Sequence, residues 1–439
     1  MTLNREWTSF MELAYFGIAT LVMFALIYLQ TPVAIAMLLV GFGGYAALVG
    51  FAPAVSILVS TIEANATSQS LAVVPLFLLM GAFASVSGLA TDLYRLAERI
   101  IGHWRGGLLH ATILGCAVFG AICGSSLATA ATFGRVALPE MEKRGYAPAL
   151  AGGTIAAGGT LGALIPPSVV LVIYAIMTET LILDLFVAAI IPAALSVTFQ
   201  IATLIYVTGS NPALAPAGKS HNASEKLEAL LSASPTLGFL VLILGGMYGG
   251  VFTVNEAAAF GALLAILLAL FRRRLTWKTF FGCLMDAGRN TGVIYMIVFG
   301  ADMLGYFVTI TGAPEAFTGM VVETGWPPIL IVSAFVLMYV VLGSLFDTIS
   351  AMLITIPFVL PVIESFGYDL VWWGIVTVAV VELGMITPPI GMNIFIINAL
   401  SPRTPLAQLF RGVLPFVLSD LFRIVLLLAF PMLSLVLLR

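Results

Sequence analysis

GALIPPS runs from Gly162 to Ser168 and GMITPPI from Gly384 to Ile390, each inside a long apolar stretch. Proline lacks a backbone N–H and clashes with the preceding turn, so each Pro-Pro pair is expected to interrupt a membrane helix. The surroundings recur as well. Leu138-Pro139, Gly145-Tyr146, Leu161-Gly162 and Pro166-Pro167 are matched by Leu360-Pro361, Gly367-Tyr368, Leu383-Gly384 and Pro388-Pro389, every pair 222 residues apart. A duplicated apolar unit with one interrupted helix per copy is the pattern of a secondary transporter.

Composition agrees. Hydrophobic residues make up 61% of the 439 and charged residues only 9%, against about 25% charged in soluble domains. The chain reads as an all-α polytopic membrane protein. Its net charge of −3 points to no particular partner, and no basic patch suggests nucleic acid. Cys116, Cys123 and Cys283 lack metal or disulfide spacing and read as buried small hydrophobes. The first apolar run, 14–30, follows Glu6 and Glu12 and has no polar cleavage region, so it reads as a retained span.

Apolar segments fall at 14–30, 33–51, 71–89, 107–140, 148–178, 183–208, 236–252, 255–271, 290–310, 328–362, 371–400 and 412–438. The first six, shifted by 222, land near the last six. Segments 107–140 and 328–362 are too long for one crossing and are interrupted by small and polar residues, so each reads as a re-entrant hairpin. Each half then has five crossings, and an odd number inverts the second half. The expected organisation is a first inverted repeat over 1–208, a mobile cytoplasmic linker over 209–235, and a second inverted repeat over 236–439. Basic residues test the inversion. Arg95, Arg99 and Arg105 lie in 89–106, whereas the equivalent 311–328 carries only Glu315 and Glu323. Arg135, Lys143 and Arg144 close the first hairpin; Glu364 and Asp369 close the second. With both termini outside, most of the 18 Lys and Arg residues fall on the cytoplasmic face. Thr91–Trp104 and Thr276–Ala287 mix apolar and charged residues at helical spacing and read as helices lying along that face.

The interrupted helices carry the chemistry. Unwinding at Pro166-Pro167 and Pro388-Pro389 frees carbonyl oxygens suited to a hard cation, and the following half-helix presents N–H groups suited to an anion. The first hairpin tip holds Gly124, Ser125 and Ser126, with Thr129 and Thr132 beyond; the second holds Gly343, Ser344, Asp347, Thr348 and Ser350. Thr129 and Ser350 read as close-packing residues. A carboxylate at membrane depth is costly and usually functional, so Asp347 is expected to help neutralise a cation. On that reading Asp347→Asn impairs sodium-driven transport and leaves membrane insertion intact. Both tips are expected to meet the Pro-Pro breaks near mid-membrane. Ser168, Thr387 and Asn393 flank the breaks. Glu382 lies about one and a half turns before Pro388, with Thr160 at the equivalent position. Two readings of Glu382 stand: it holds the break by hydrogen bonding, or it takes part in ion coupling. Gly158 and Gly159 are expected to loosen the first interrupted helix. Glu256 reads as a helix anchor, Asp302 as a scaffold partner, and Arg423 as the partner of an acid in the last span. Catalysis finds no support. There is no H-E-x-x-H or G-x-S-x-G, the three histidines are scattered, and no Walker motif cradles phosphate.

At these residues the chain resembles the large permease subunit of the tripartite ATP-independent periplasmic (TRAP) transporters. The stretches that carry the resemblance are GAICGSSLATAATFGRVALPEMEKRGY (120–146), GGTLGALIPPSVVLVIY (158–174), GGMYGGVFTVNEAAA (245–259), LGSLFDT (342–348) and ELGMITPPIGMN (382–393). They occur in the family's order and span nearly the whole chain. The resemblance implies sodium-coupled import of small organic acids, carboxylates or sulfonates, across a bacterial inner membrane. Sodium serves as coupling ion and no other cofactor is implied. A periplasmic binding protein delivers the substrate, and a four-helix membrane subunit completes the complex. Because no four-helix segment precedes Ala14, that subunit is expected on a separate chain. A transport domain of hairpins and interrupted helices is expected to slide against a scaffold, elevator fashion. The family's sodium sites map to the regions of Ser125, Ser126, Thr348 and the two Pro-Pro motifs. Two departures stand out: Thr253-Val254-Asn255-Glu256 replaces the usual T-P-T-E, and Arg135 stands where the family often has a small or apolar residue. The alternative is a stand-alone sodium-coupled symporter or ion antiporter of the same architecture. Its Ser-Asn-Thr tips are replaced here by Gly-Ser-Ser and Phe-Asp-Thr.

Overall fold

The computed structural model describes residues 2–438, with side chains from Tyr15 onward. Glu6 and Glu12, which favour a retained first span, lie outside the described side chains. Among the described residues regular structure is helical, and one isolated antiparallel bridge joins Arg105 to Ala217. Among the described residues eight helices are long and apolar enough to cross a bilayer. The pair Pro148–Leu164 and Val169–Met177, bent by 42°, supplies a ninth span.

Helix boundaries recur at the offset seen in the sequence. Moved by 222 residues, Gly107–Cys123 falls on Pro328–Leu345 and Ser126–Lys143 on Thr348–Ser365. Pro148–Leu164 likewise falls on Leu370–Gly384 and Val169–Met177 on Met392–Leu400, all within two residues. The first two pairs form hairpins with breaks at Gly124-Ser125 and Phe346-Asp347. The last two are the helices interrupted by Pro-Pro. Their first segments, Pro148–Leu164 and Leu370–Gly384, pack on one another and form the buried centre of the molecule.

Three elements differ from expectation. Phe51–Thr67 is a helix where the apolar pattern predicts no segment. Only Ala54 and Thr61 of it are buried, and Pro53, Ser56, Ser60 and Glu63 divide its apolar residues into short runs. Asn65, near its end, donates to Asp302 Oδ2 at 2.6 Å, the scaffold pairing expected of that acid. Second, Thr276–Ala287 is not a separate surface helix. It is the start of one continuous helix, Trp277–Ile310, because no proline interrupts those 34 residues. At about 1.5 Å per residue the helix is about 50 Å long, so its polar first third outruns a hydrocarbon core of about 30 Å.

Third, the connection expected to be mobile is ordered. Ala223–Tyr248 is a single helix opened by a capping box, in which Asn222 Oδ1 accepts from Glu225 N (2.8 Å) and Glu225 Oε2 accepts from Asn222 N (2.9 Å). The residues before it are pinned to the first half. Ala147 N donates to Leu214 O (2.9 Å), Gly218 N to Gly102 O (3.1 Å) and the Tyr146 hydroxyl to Pro216 O (2.9 Å). Burial pushes the Tyr146 phenol up, which keeps its proton in place as a donor. Arg144 beside it pairs with Glu98 and with Glu140.

Elsewhere the anchors match their readings. Glu256 closes a second capping box with Thr253, and Asn255 Nδ2 donates to Gln69 O (2.8 Å), tying two helix starts together. Arg423 pairs with Asp420. The three cysteines are free and buried.

Candidate functional site

A break in a helix leaves backbone groups without partners. Here each hairpin tip supplies some of them. Val169 and Gly391 stand 222 residues apart, at the restarts of the two interrupted helices. Val169 N donates to Gly124 O (3.3 Å), and Gly391 N donates to Ser344 O (3.2 Å). Gly124 has φ +63°, which glycine adopts without penalty, and closes the helix before it. Close packing accompanies these bonds. A Cβ on Gly162 would lie 2.7 Å from Ser125 O, and one on Gly384 would lie 2.6 Å from the Gly343 carbonyl carbon. Both Pro-Pro bonds are cis. Pro166 and Pro167 are buried, while Pro388 and Pro389 are exposed.

The polar residues at the breaks sort into two groups. Most are satisfied locally. Ser125 and Ser168 cap their helices, accepting from Ala128 N (3.4 Å) and Leu171 N (3.3 Å). Ser168 also donates to Ala163 O. The Thr160 hydroxyl donates to Ala157 O (2.6 Å) and the Thr387 hydroxyl to Leu383 O (2.6 Å). Asp347 caps Thr348–Ser365, accepting from Ser350 N (3.1 Å) and the Ser350 hydroxyl (2.5 Å). That gives Asp347 a structural duty, and makes Ser350 its partner rather than a mere packing residue.

Glu382 is different. It is 2% exposed. Its Oε1 accepts from the Thr348 hydroxyl at 2.8 Å, and Oε2 has no partner. The buried Ser126 hydroxyl, from the other hairpin, faces the same carboxylate, and the charges acting on it are those of Arg423 and Asp420. One carboxylate thus draws together both hairpin tips and the second interrupted helix. Asn393 separately ties the second interrupted helix to the first: its Nδ2 donates to Ala156 O (3.2 Å), while Oδ1 is buried and unpartnered. A buried carboxylate with a free oxygen beside hydroxyl groups is an oxygen set of the kind a hard cation takes.

Gly158 and Gly159 do not loosen their helix, which runs unbroken to Leu164. They let helices touch. A Cβ on Gly158 would meet Cys116 Sγ at 3.0 Å, and one on Gly159 would meet Ala130 Cβ at 2.7 Å.

A cavity of about 370 Å³ reaches the first hairpin tip at Cys123 and Ser125. Thr132 and Arg135 of Ser126–Lys143 line one side; Asp286, Arg289 and Asn290 of Trp277–Ile310 line the other. In the sequence Arg135 has no evident role and Arg289 is one basic residue among several on the cytoplasmic face. Gln69–Ser87, which packs against both the long helix and the hairpin helix Gly107–Cys123, brings them to one space.

The family is decided by the sequence as a whole. The model of the family described as "Tripartite ATP-independent periplasmic transporter, DctM component" matches residues 20–433. The chain belongs to this family. Among its TRAP relatives, the C4-dicarboxylate TRAP transporter large permease protein DctM of Pseudomonas aeruginosa is 34% identical over 369 residues, 84% of this chain and 86% of that protein. The isethionate TRAP transporter permease protein DctMQ of Oleidesulfovibrio alaskensis is 30% identical over 347 residues, 78% of this chain and 54% of that protein. Among solved structures, the YdaH transporter of Alcanivorax borkumensis superposes with TM-score 0.59 at 15% identity, covering 87% of this chain and 89% of that one. That likeness is one of fold alone. The chain is therefore a multi-pass membrane protein of a family of TRAP permeases rather than enzymes.

Proposed function

We propose that this TRAP permease imports small organic acids, carboxylates or sulfonates, on a sodium gradient across a bacterial inner membrane. It works with a separate four-helix subunit and a periplasmic binding protein. The two halves are inverted repeats, and the hairpins with the interrupted helices move as one body against the remaining helices. The observation that carries sodium coupling is the unpartnered oxygen of Glu382, set between the hydroxyls of Thr348 and Ser126. A sodium ion there neutralises the buried carboxylate and ties both hairpin tips to one interrupted helix, so ion binding orders the body that must move. The relatives named for C4-dicarboxylates and for isethionate support the substrate class.

The test is reconstitution in proteoliposomes with the small subunit and the binding protein. Radiolabelled succinate or isethionate is expected to accumulate only under an inward sodium gradient. Accumulation without sodium would remove the coupling; accumulation without the binding protein would remove the tripartite assembly.

A further inference from the structure

Two basic side chains, Arg135 and Arg289, line the cavity of about 370 Å³ at the first hairpin tip. Neither makes an ion pair among the described residues, although Asp286 lines the same cavity. Both arginines are exposed. They sit on different elements, Arg135 on a hairpin helix and Arg289 on the long helix Trp277–Ile310. Hydroxyl and amide groups of Ser85, Ser125, Thr132 and Asn290 share the cavity.

We propose that Arg135 and Arg289 form a two-guanidinium subsite that grips the anionic group of the substrate and bridges the hairpin to the long helix. The proposal deepens the transport reading above and rests on it for the identity of the cavity's occupant. A guanidinium fork can engage the two oxygens of a carboxylate or two of the three oxygens of a sulfonate, and a single oxyanion can accept from both. Empty, the cavity carries two like charges on its wall, one on the hairpin helix and one on the long helix, which opposes their approach. Filled, the anion cancels that repulsion and supplies two charge-assisted bonds across the gap. The same contact therefore recognises the substrate and permits the hairpin to draw in. Asp286 sets the complementary limit, because its charge opposes an anion in the same space. With two positive groups and one negative, the cavity favours a small oxyanion over a neutral solute of equal size.

The experiment is isothermal titration of the full chain in detergent, with sodium present, using succinate and isethionate as probes. Wild type is expected to bind at least one of them. Arg135→Gln and Arg289→Gln are each expected to weaken binding about tenfold or more, the loss of one charge-assisted bond. Arg135→Lys falls between wild type and Arg135→Gln, because it keeps the charge but not the fork. Asp286→Asn tightens binding. Equal affinity in wild type and both Gln variants overturns the subsite, as does the absence of binding of either probe by wild type. Sodium-driven uptake is scored apart. If uptake proves independent of sodium while the Arg effects persist, the coupling reading fails and the subsite stands. If uptake follows sodium but the Gln variants bind normally, the reverse holds.

Discussion

Thr348 donates its hydroxyl to Glu382 Oε1 at 2.8 Å, while Oε2 of the same carboxylate is buried without a partner. A charged carboxylate with one unpartnered oxygen in a membrane core costs several kcal/mol, and on the proposed reading a sodium ion offsets that cost. Glu382→Gln removes the charge and keeps an amide oxygen able to accept from Thr348. Sodium activation of uptake is expected to need at least tenfold more sodium in this variant, with yield and elution profile unchanged. Uptake measured against sodium concentration decides it. A curve superposing on wild type would take Glu382 out of the ion site.

Asp347 carries a different load. The sequence places a sodium-neutralising carboxylate there, but both of its oxygens accept from Ser350 at the start of Thr348–Ser365. Asparagine can still accept from Ser350 N; alanine cannot. Asp347→Ala is expected to cost about 1 kcal/mol at the hairpin tip, seen as faster amide exchange over Thr348–Ala351. Asp347→Asn is expected to keep wild-type exchange and sodium dependence. Loss of sodium dependence in Asp347→Asn alone would return the carboxylate to the ion site.

Gly162 and Gly384 hold each hairpin tip against its interrupted helix. Added Cβ atoms would approach Ser125 O and the Gly343 carbonyl carbon at 2.7 and 2.6 Å, distances only a backbone shift can relieve. Gly162→Ala and Gly384→Ala are each expected to destabilise by about 1–3 kcal/mol. Gly305→Ala is the control. It lies inside Trp277–Ile310 with nothing within 4 Å of where an alanine methyl would sit, and alanine favours helix. Thermal melts in detergent are expected to fall for the first two and to hold or rise for the third.

What can be read in the chain follows from how local each signal is. Proline acts on its own backbone, so the breaks at Pro166 and Pro388 are visible in the sequence, and their spacing pairs them. Glycine is ambiguous, since freedom and close contact look alike in sequence. Gly158 and Gly159 suggest a loosened helix because Cys116 and Ala130, the residues they make room for, lie in other helices. The role of Glu382 depends on Thr348, brought to it only when the second hairpin folds back. Phe51–Thr67 is hidden because Pro53, Ser56, Ser60 and Glu63 keep its apolar runs short. Arg135 is conspicuous, but its counterpart Arg289 belongs to a helix more than a hundred residues away.

Asp420 and Arg423 test whether the last long helix, Leu406–Ala429, is held by charge or merely tolerates it. Arg423 Nε donates to Asp420 Oδ1 at 3.0 Å; the side chains are 3% and 1% exposed, and Arg423 Nη1 has no partner. Removing one member of such a pair strands the other as a lone buried charge, at about 3–5 kcal/mol. Replacing both removes the stranded charge along with the attraction. Asp420→Asn alone is therefore expected to lower the melting temperature sharply, and Arg423→Met alone to do the same. The double variant Asp420→Asn, Arg423→Met is expected to recover much of the loss. Both charges also act on Glu382, so sodium activation gives a second readout. Losing Arg423 removes a positive neighbour that competes with sodium for the carboxylate, and Arg423→Met is expected to bind sodium more tightly in whatever fraction folds. Additive melting shifts in the double variant, with no change in sodium activation, would reduce the pair to two independent buried residues.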